Sequence, residues 1–328
     1  TTANFGTWTN AGLATLTERI DNTVTAGDGG GLGISTGGRA ATGAYGNTTV
    51  TLVSSSVKAM MSIALKPELA APKVRRFSGG GFSTIESSAN APITTAITYV
   101  VNKSAPVRNE YMIGTIHATN NNLAVQRGTY DSVTAAWTWT NIFTTATAQA
   151  SYRYFDIAYE QTSGDALIVY EDLGATANGT LMYYTWNGAT LTGPTTLTYS
   201  GLTGYAASNA RFVKLISNPK TGSDQILLVF SDALGEAYAY VWNGSAFTIG
   251  KQITTTNNLS TTAPVNVIAG AWEGTSGDAI VVFGDANATP GISYSTSATG
   301  TGAFTADAQA FTTGFGQAYY VSAAGDPA

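Results

Sequence analysis

Apolar residues along this chain come in short blocks closed off by Gly, Asn, Asp and Pro, and the blocks seldom keep a helical spacing. Val50-Thr51-Leu52-Val53, Ile63-Ala64-Leu65, Ile97-Thr98-Tyr99-Val100-Val101 and Leu181-Met182-Tyr183-Tyr184-Thr185-Trp186 are rich in β-branched and aromatic side chains and end in turn residues, which predicts strands. No window sustains a helical period with caps at both ends. The best helical stretch, Ser55 to Leu65, alternates acceptably as a strand. An all-β fold is expected.

The second half carries an internal repeat. Gly164-Asp165-Ala166-Leu167-Ile168-Val169-Tyr170-Glu171-Asp172, Ser223-Asp224-Gln225-Ile226-Leu227-Leu228-Val229-Phe230-Ser231-Asp232 and Gly277-Asp278-Ala279-Ile280-Val281-Val282-Phe283-Gly284-Asp285 share one pattern, and Asn109 to His117 aligns with them. Each is read as the opening strand of a unit. A second strand follows at Leu123–Gln126, Leu181–Trp186, Ala237–Trp242 and Ile292–Tyr294. A further strand lies in Tyr154–Tyr159, Phe212–Ile216 and Val265–Ala269. Two copies enter matching turns, Trp186-Asn187-Gly188 and Trp242-Asn243-Gly244. Asn-Gly supplies the positive φ angles of a type I′ hairpin, so the strands on either side should pair tightly. Four hairpin-linked strands per unit without helices is a propeller-blade pattern. About four to five four-stranded blades are expected over residues 106–328, with Ala318-Tyr319-Tyr320-Val321-Ser322 as the opening strand of the last.

Residues 1–67 read as a separate module. Trp8, then Thr15-Leu16-Thr17-Glu18-Arg19, a Gly-rich crossing at Gly27 to Gly33, Val50-Thr51-Leu52 and Ala59 to Pro67 resemble a β-sandwich module of large exported bacterial proteins and some phage surface proteins. In those relatives further strands precede the Trp, so the resemblance implies a sandwich short of its first strands. Its edge would then accept a strand from a neighbouring chain, donated by the Thr-rich start or by the tail from Ala306. Pro67, Pro72, Pro92 and Pro106 punctuate residues 68–105, read as a junction. Lys66, Lys73, Arg75 and Arg76 cluster there as a solvated face or a docking patch for an acidic partner. The Phe155-Asp156-Ile157-Ala158-Tyr159-Glu160 stretch, with Ser163-Gly164-Asp165 and the Trp-Asn-Gly turns, resembles repeats of exported bacterial surface and filament-type proteins, some in pilus-tip-like settings. That resemblance carries no catalytic residue.

Composition narrows the setting. Of 328 residues, 11% are charged, against about a quarter in ordinary globular chains; Thr, Ser, Ala, Gly and Asn take the surface role. The net charge of −5 argues against nucleic acid, which needs a basic footprint. No Cys is present, which excludes disulfides, Cys-ligated zinc and thiol catalysis. No apolar run is long enough to span a bilayer as a helix. An extracellular or cell-surface protein is expected, with copies of itself, other surface proteins or glycans as partners.

Candidate chemistry is thin. Gly33-Ile34-Ser35-Thr36-Gly37 matches a nucleophile elbow, which requires a strand-to-helix turn; a loop fits better. Gly29 to Gly33 lacks the Lys-Ser/Thr and βαβ context of a phosphate loop. Asp172, Asp232 and Asp285 end the repeated strands, and Asp165, Asp224 and Asp278 start them. Turn capping is the favoured role, with Asp172, Asp232 and Asp285 as weak Ca²⁺ ligands. His117 fills the same slot in the first copy. Tyr184, Trp186, Tyr240 and Trp242 are weak candidates for sugar stacking, although alternation favours packing between blades. Glu160, Glu171, Asp172 and Glu273 are the acids from which a glycosidase pair would have to come. Six Asn-X-Ser/Thr sequons, at Asn47, Asn102, Asn178, Asn243, Asn258 and Asn287, permit glycosylation. The residues favour a non-enzymatic surface filament or adhesin subunit, then a carbohydrate-binding propeller, then a glycan-processing enzyme.

Overall fold

The structure, a computed structural model, describes residues 5–24, 30–38, 47–52, 72–78, 81–87, 96–118, 121–146, 152–171, 179–202, 208–253, 259, 266–286, 291–310, 318 and 320–325. The chain divides into two compact units, Thr1–Pro67 and Glu68–Ala328. Among the described residues no helix is long and apolar enough to cross a membrane.

The first unit contributes β1 (Phe5–Thr9), β2 (Ala14–Val24), β3 (Gly30–Gly38) and β4 (Thr49–Leu52). β1 pairs with β4 and β2 with β3, both antiparallel. Ser35 sits inside β3 opposite Glu18. A residue in a ladder is not at the sharp strand-to-helix turn a nucleophile elbow needs, so the loop reading of this Gly-Ser stretch gives way to a strand.

The second unit opens with two small ladders. β5 (Lys73–Val74) pairs with β8 (Glu86–Ser87), and β6 (Phe77–Ser78) with β7 (Gly81–Phe82). Of the basic cluster, Lys66 lies outside the described residues. Arg75 lies over the Phe82 ring and Arg76 over Tyr130.

Four four-stranded antiparallel sheets follow, each in simple chain order. The first blade is β9 (Ile97–Ser104), β10 (Tyr111–His117), β11 (Asn122–Asp131) and β12 (Ala136–Ala146). The second is β13 (Phe155–Tyr159), β14 (Ala166–Tyr170), β15 (Thr180–Trp186) and β16 (Leu191–Thr198). The third is β17 (Ala210–Ser217), β18 (Ile226–Asp232), β19 (Ala237–Trp242) and β20 (Phe247–Gln252). The fourth is β21 (Ile268–Trp272), β22 (Ala279–Gly284), β23 (Ile292–Ser297) and β24 (Ala308–Gln309). β9 falls within the stretch read from sequence as a junction.

The first strands β9, β13, β17 and β21 stand against one another in succession, as the inner strands of a propeller do. The conspicuous repeat is therefore the second strand of each blade, not its opening strand. A repeated pattern carries no phase of its own, so the chain alone does not say which strand lies inside.

Apolar packing runs between blades. Leu167 and Val169 of β14 join a cluster with Val213, Leu228, Phe230 and Trp242 of the third blade. Ile168 and Tyr170, on the other face of β14, join Met112, Ile116 and Val125 of the first. Leu227 and Val229 of β18 meet Ile268, Val281 and Phe283 of the fourth. Both faces of these sheets are covered, which is why β14 and β18 read as unbroken apolar runs rather than alternating ones.

A fifth position is marked by the tail. The Val321 N–H donates to the Asn266 carbonyl at 2.8 Å, as the Val213 N–H donates to Arg153 at 3.0 Å. Asn266 and Arg153 each lie two residues before an inner strand. Four residues on, Gly325 abuts the Trp272 carbonyl, where Ser217 Oγ donates to the Tyr159 carbonyl. Residues 321–325 thus keep an inner strand's register against the fourth blade.

Close blade contact has a local requirement at Gly114 of β10, where a Cβ would overlap the Phe155 ring of the next blade. Gly114→Ala is expected to lower stability by about 1–3 kcal/mol through overpacking, read as a lower urea midpoint; an unchanged midpoint would show that this interface yields.

Candidate functional site

The two Trp-Asn-Gly turns fasten one blade to the next. Glu110, 2% exposed, follows the β9–β10 turn of the first blade. Its carboxylate accepts from Trp186 Nε1 at 3.0 Å and Tyr159 OH at 2.8 Å, both of the second blade. Arg127 Nε donates to its other oxygen at 2.9 Å. One blade further, Glu160 accepts from Trp242 Nε1 at 2.6 Å and from Ser163 Oγ. Burial raises the Glu160 pKa, a shift its two side-chain donors oppose.

Gly188 and Gly244 adopt φ of +92° and +95°. No positive φ occurs at Asn187 or Asn243, so the type I′ expectation is corrected. Each Asn works through its side chain instead. Asn187 Oδ1 accepts from Ala189 and Thr190 N–H, and Asn243 Oδ1 from Ser245 and Ala246 N–H, an Asx turn.

The four aromatic candidates lie in packing positions. Trp186 and Trp242 are buried and hydrogen-bonded as above. Tyr240 lies over Gly250, where a Cβ would overlap its ring, and near Phe230. Tyr184 is half-buried, 4.5 Å from Phe143 and stacked near Tyr170.

Of the repeated acids, Asp232 caps its own turn, and the others described bond elsewhere. Asp232 Oδ1 accepts from Leu234 N–H at 3.0 Å and Glu236 N–H at 2.9 Å. Asp285 accepts from Ser293 Oγ; Asp172 lies outside the described residues. Asp224 caps Thr162 and Ser163 of the preceding blade, Asp165 pairs with Arg108, and Asp278 accepts from Thr299 N–H. His117 is buried beside Thr115 Oγ1. Among the described residues no group of three or more His, Asp or Glu could hold a metal ion.

Glu160 and Glu171 sit at opposite ends of the β13–β14 hairpin, the five residues of β14 between them. At about 3.3 Å per residue they stand roughly 17 Å or more apart, beyond the roughly 5–10 Å of a glycosidase pair. Glu273 caps Thr275 and Ser276.

A group that the sequence reading did not single out lies on and beside the inner strands. Asp156 of β13 is fully buried. Its Oδ1 accepts from Ile157 N–H, and its Oδ2 from Leu215 N–H of β17 at 2.9 Å and from Arg153 at 3.0 Å. Burial lowers the Lys214 pKa; Asp156 opposes that shift, while the like charges of Arg153 and Lys103 add to it. Charged residues inside strands that are otherwise apolar were the available signal.

Two measurements test these assignments. Glu160→Ala strands the Trp242 N–H in the interface and should cost about 1–3 kcal/mol, whereas Glu160→Gln keeps an acceptor and should cost less; equal losses of Tm would contradict the fastener. Buried Asp232 shares Tyr238 OH with Glu236, and burial, reinforced by the Glu236 charge, pushes its pKa up to about 7. An unfolded Asp ionises near pH 4, about, so between those values the folded chain holds a proton that the unfolded chain has lost. This contribution to stability is full below about pH 4 and declines as pH rises through about 7. Asp232→Asn should flatten that decline in thermal scans; an unaltered slope would place its origin elsewhere.

No family model matches the chain, and no curated protein does. Solved structures match the chain at low identity. An Aleuria aurantia lectin is 13% identical with a TM-score of 0.41, covering 75% of this chain and 73% of that one. A Coprinopsis cinerea GH62 α-L-arabinofuranosidase domain is 15% identical with a TM-score of 0.36, covering 64% and 68%. An exo-β-1,3-galactanase from Phanerochaete chrysosporium is 8% identical with a TM-score of 0.34, covering 64% of this chain and 49% of that one, so the match spans about half the galactanase.

Proposed function

We propose that this chain is a non-enzymatic recognition protein of the cell exterior, a surface-filament or adhesin subunit whose propeller holds a rigid binding face. The observation that carries this reading is the engagement of Glu110, Glu160 and Asp156, buried carboxylates between blades. Glu110 and Glu160 accept indole N–H groups from the next blade, and both Asp156 oxygens accept main-chain N–H groups. An acid held this way stabilises the contact between blades; a general acid or base must instead face substrate with a proton to move. The low-charge surface rich in Thr, Ser and Asn supports an exterior setting, with copies of the chain or other surface proteins as partners.

Within that reading the ligand class favoured is a glycan. Lys103, Arg153 and Lys214 are half-buried donors grouped near the inner strands, and directional donors in such a setting suit sugar hydroxyl and acid groups. The test is a glycan array run beside a reducing-end assay on the same polysaccharides. Binding without turnover is expected. Hydrolysis that disappears in Asp156→Asn would overturn the non-enzymatic reading.

A further inference from the structure

The inner strands gather more positive charge than they neutralise. Lys103 comes from β9, Arg153 from the residues before β13, and Lys214 from β17, so three successive blades each contribute one cation. Asp156 is the acid among them, and its oxygens are already engaged by Ile157 N–H, Leu215 N–H and Arg153. Among the described residues neither Lys103 nor Lys214 has an ion-pair partner. Three cations against one carboxylate leave a local excess of positive charge within a chain of net charge −5.

Arg153 is oriented rather than merely present. Its guanidinium lies over the Phe212 ring at 5.6 Å and is held by Asp156 through one terminal nitrogen at 3.0 Å. Its Nε is buried and makes no hydrogen bond. A guanidinium fixed by stacking and by one carboxylate, with a donor left over, is arranged for a second oxygen ligand. A half-buried ammonium whose acidic neighbour, Asp156, already accepts other donors is likewise completed by an anion.

We infer that Lys103, Arg153 and Lys214, on and beside the inner strands, form an oxyanion site that takes the carboxylate or sulfate group of an acidic saccharide. This rests on the reading of the chain as a glycan-binding propeller. Asp156 positions Arg153 and does not itself touch the ligand.

The test is isothermal titration of the full chain at low salt with a polygalacturonate oligosaccharide, a heparin oligosaccharide, a neutral β-1,3-glucan oligosaccharide and sodium sulfate. The acidic oligosaccharides should bind, and more weakly as salt rises. Lys214→Met, which keeps the apolar stem, should weaken them about tenfold or more, as expected for a lost charge-assisted bond. Lys214→Arg should retain binding, and thermal scans should show both variants folded. Equal binding of neutral and acidic oligosaccharides, unaffected by Lys214→Met, overturns the site and leaves the glycan reading standing. Binding of sulfate without either acidic oligosaccharide overturns the saccharide assignment. Failure of every saccharide overturns the site and the glycan reading together.

Discussion

A sheet that is apolar on both faces has no stable existence in water alone, and that constraint organises the second unit. β14 and β18 carry unbroken apolar runs because each is packed between two neighbouring blades. The interface must also accept what the sheet ends bring with them. Trp at the end of β15 and β19 brings an indole N–H into a dry setting, where an unmet donor is costly. Glu110 and Glu160 meet it from the preceding blade. The same device costs desolvation of a carboxylate, which is visible in the raised Glu160 pKa. Apolar burial supplies most of the attraction between blades, and these polar pairs set the register in which the faces meet.

The fourth blade solves the same problem differently. Trp272 lies on its inner strand and donates its N–H to the Ile216 main-chain carbonyl of the third blade. The polar need is the same, but its partner is backbone rather than side chain. Such variation is possible because the requirement is satisfaction of a buried donor, not a particular residue. It also explains why the repeat is weak in sequence while the blades are alike in architecture.

Strand content, blade number and hairpin positions were legible in the chain because they depend on local chemistry: β-branched blocks, turn residues, and Asn-Gly at Asn187 and Asn243. What was illegible depended on distance. Trp186 and its partner Glu110 are 76 positions apart, and Trp242 and Glu160 are 82 apart; nothing in the spacing announces either pair. Of the aromatic residues that looked suited to sugar stacking, Trp186 and Trp242 are buried against acids of the preceding blade. The turn chemistry of Asp232 was readable, yet that Asp224 caps a turn of another blade was not. The charges of the inner strands were overlooked for a related reason, since Lys103, Arg153 and Lys214 are single residues in unrelated segments until β9, β13 and β17 are set side by side.

The register of residues 321–325 has a mechanical consequence. These residues keep an inner strand's position, and among the described residues one main-chain bond, Val321 to Asn266, holds them to the fourth blade. A load on this segment would therefore meet a weak attachment before it reached the hairpins of the fourth blade. Each blade is a meander of consecutive strands, so tension passing inward would unzip one strand at a time and one blade at a time.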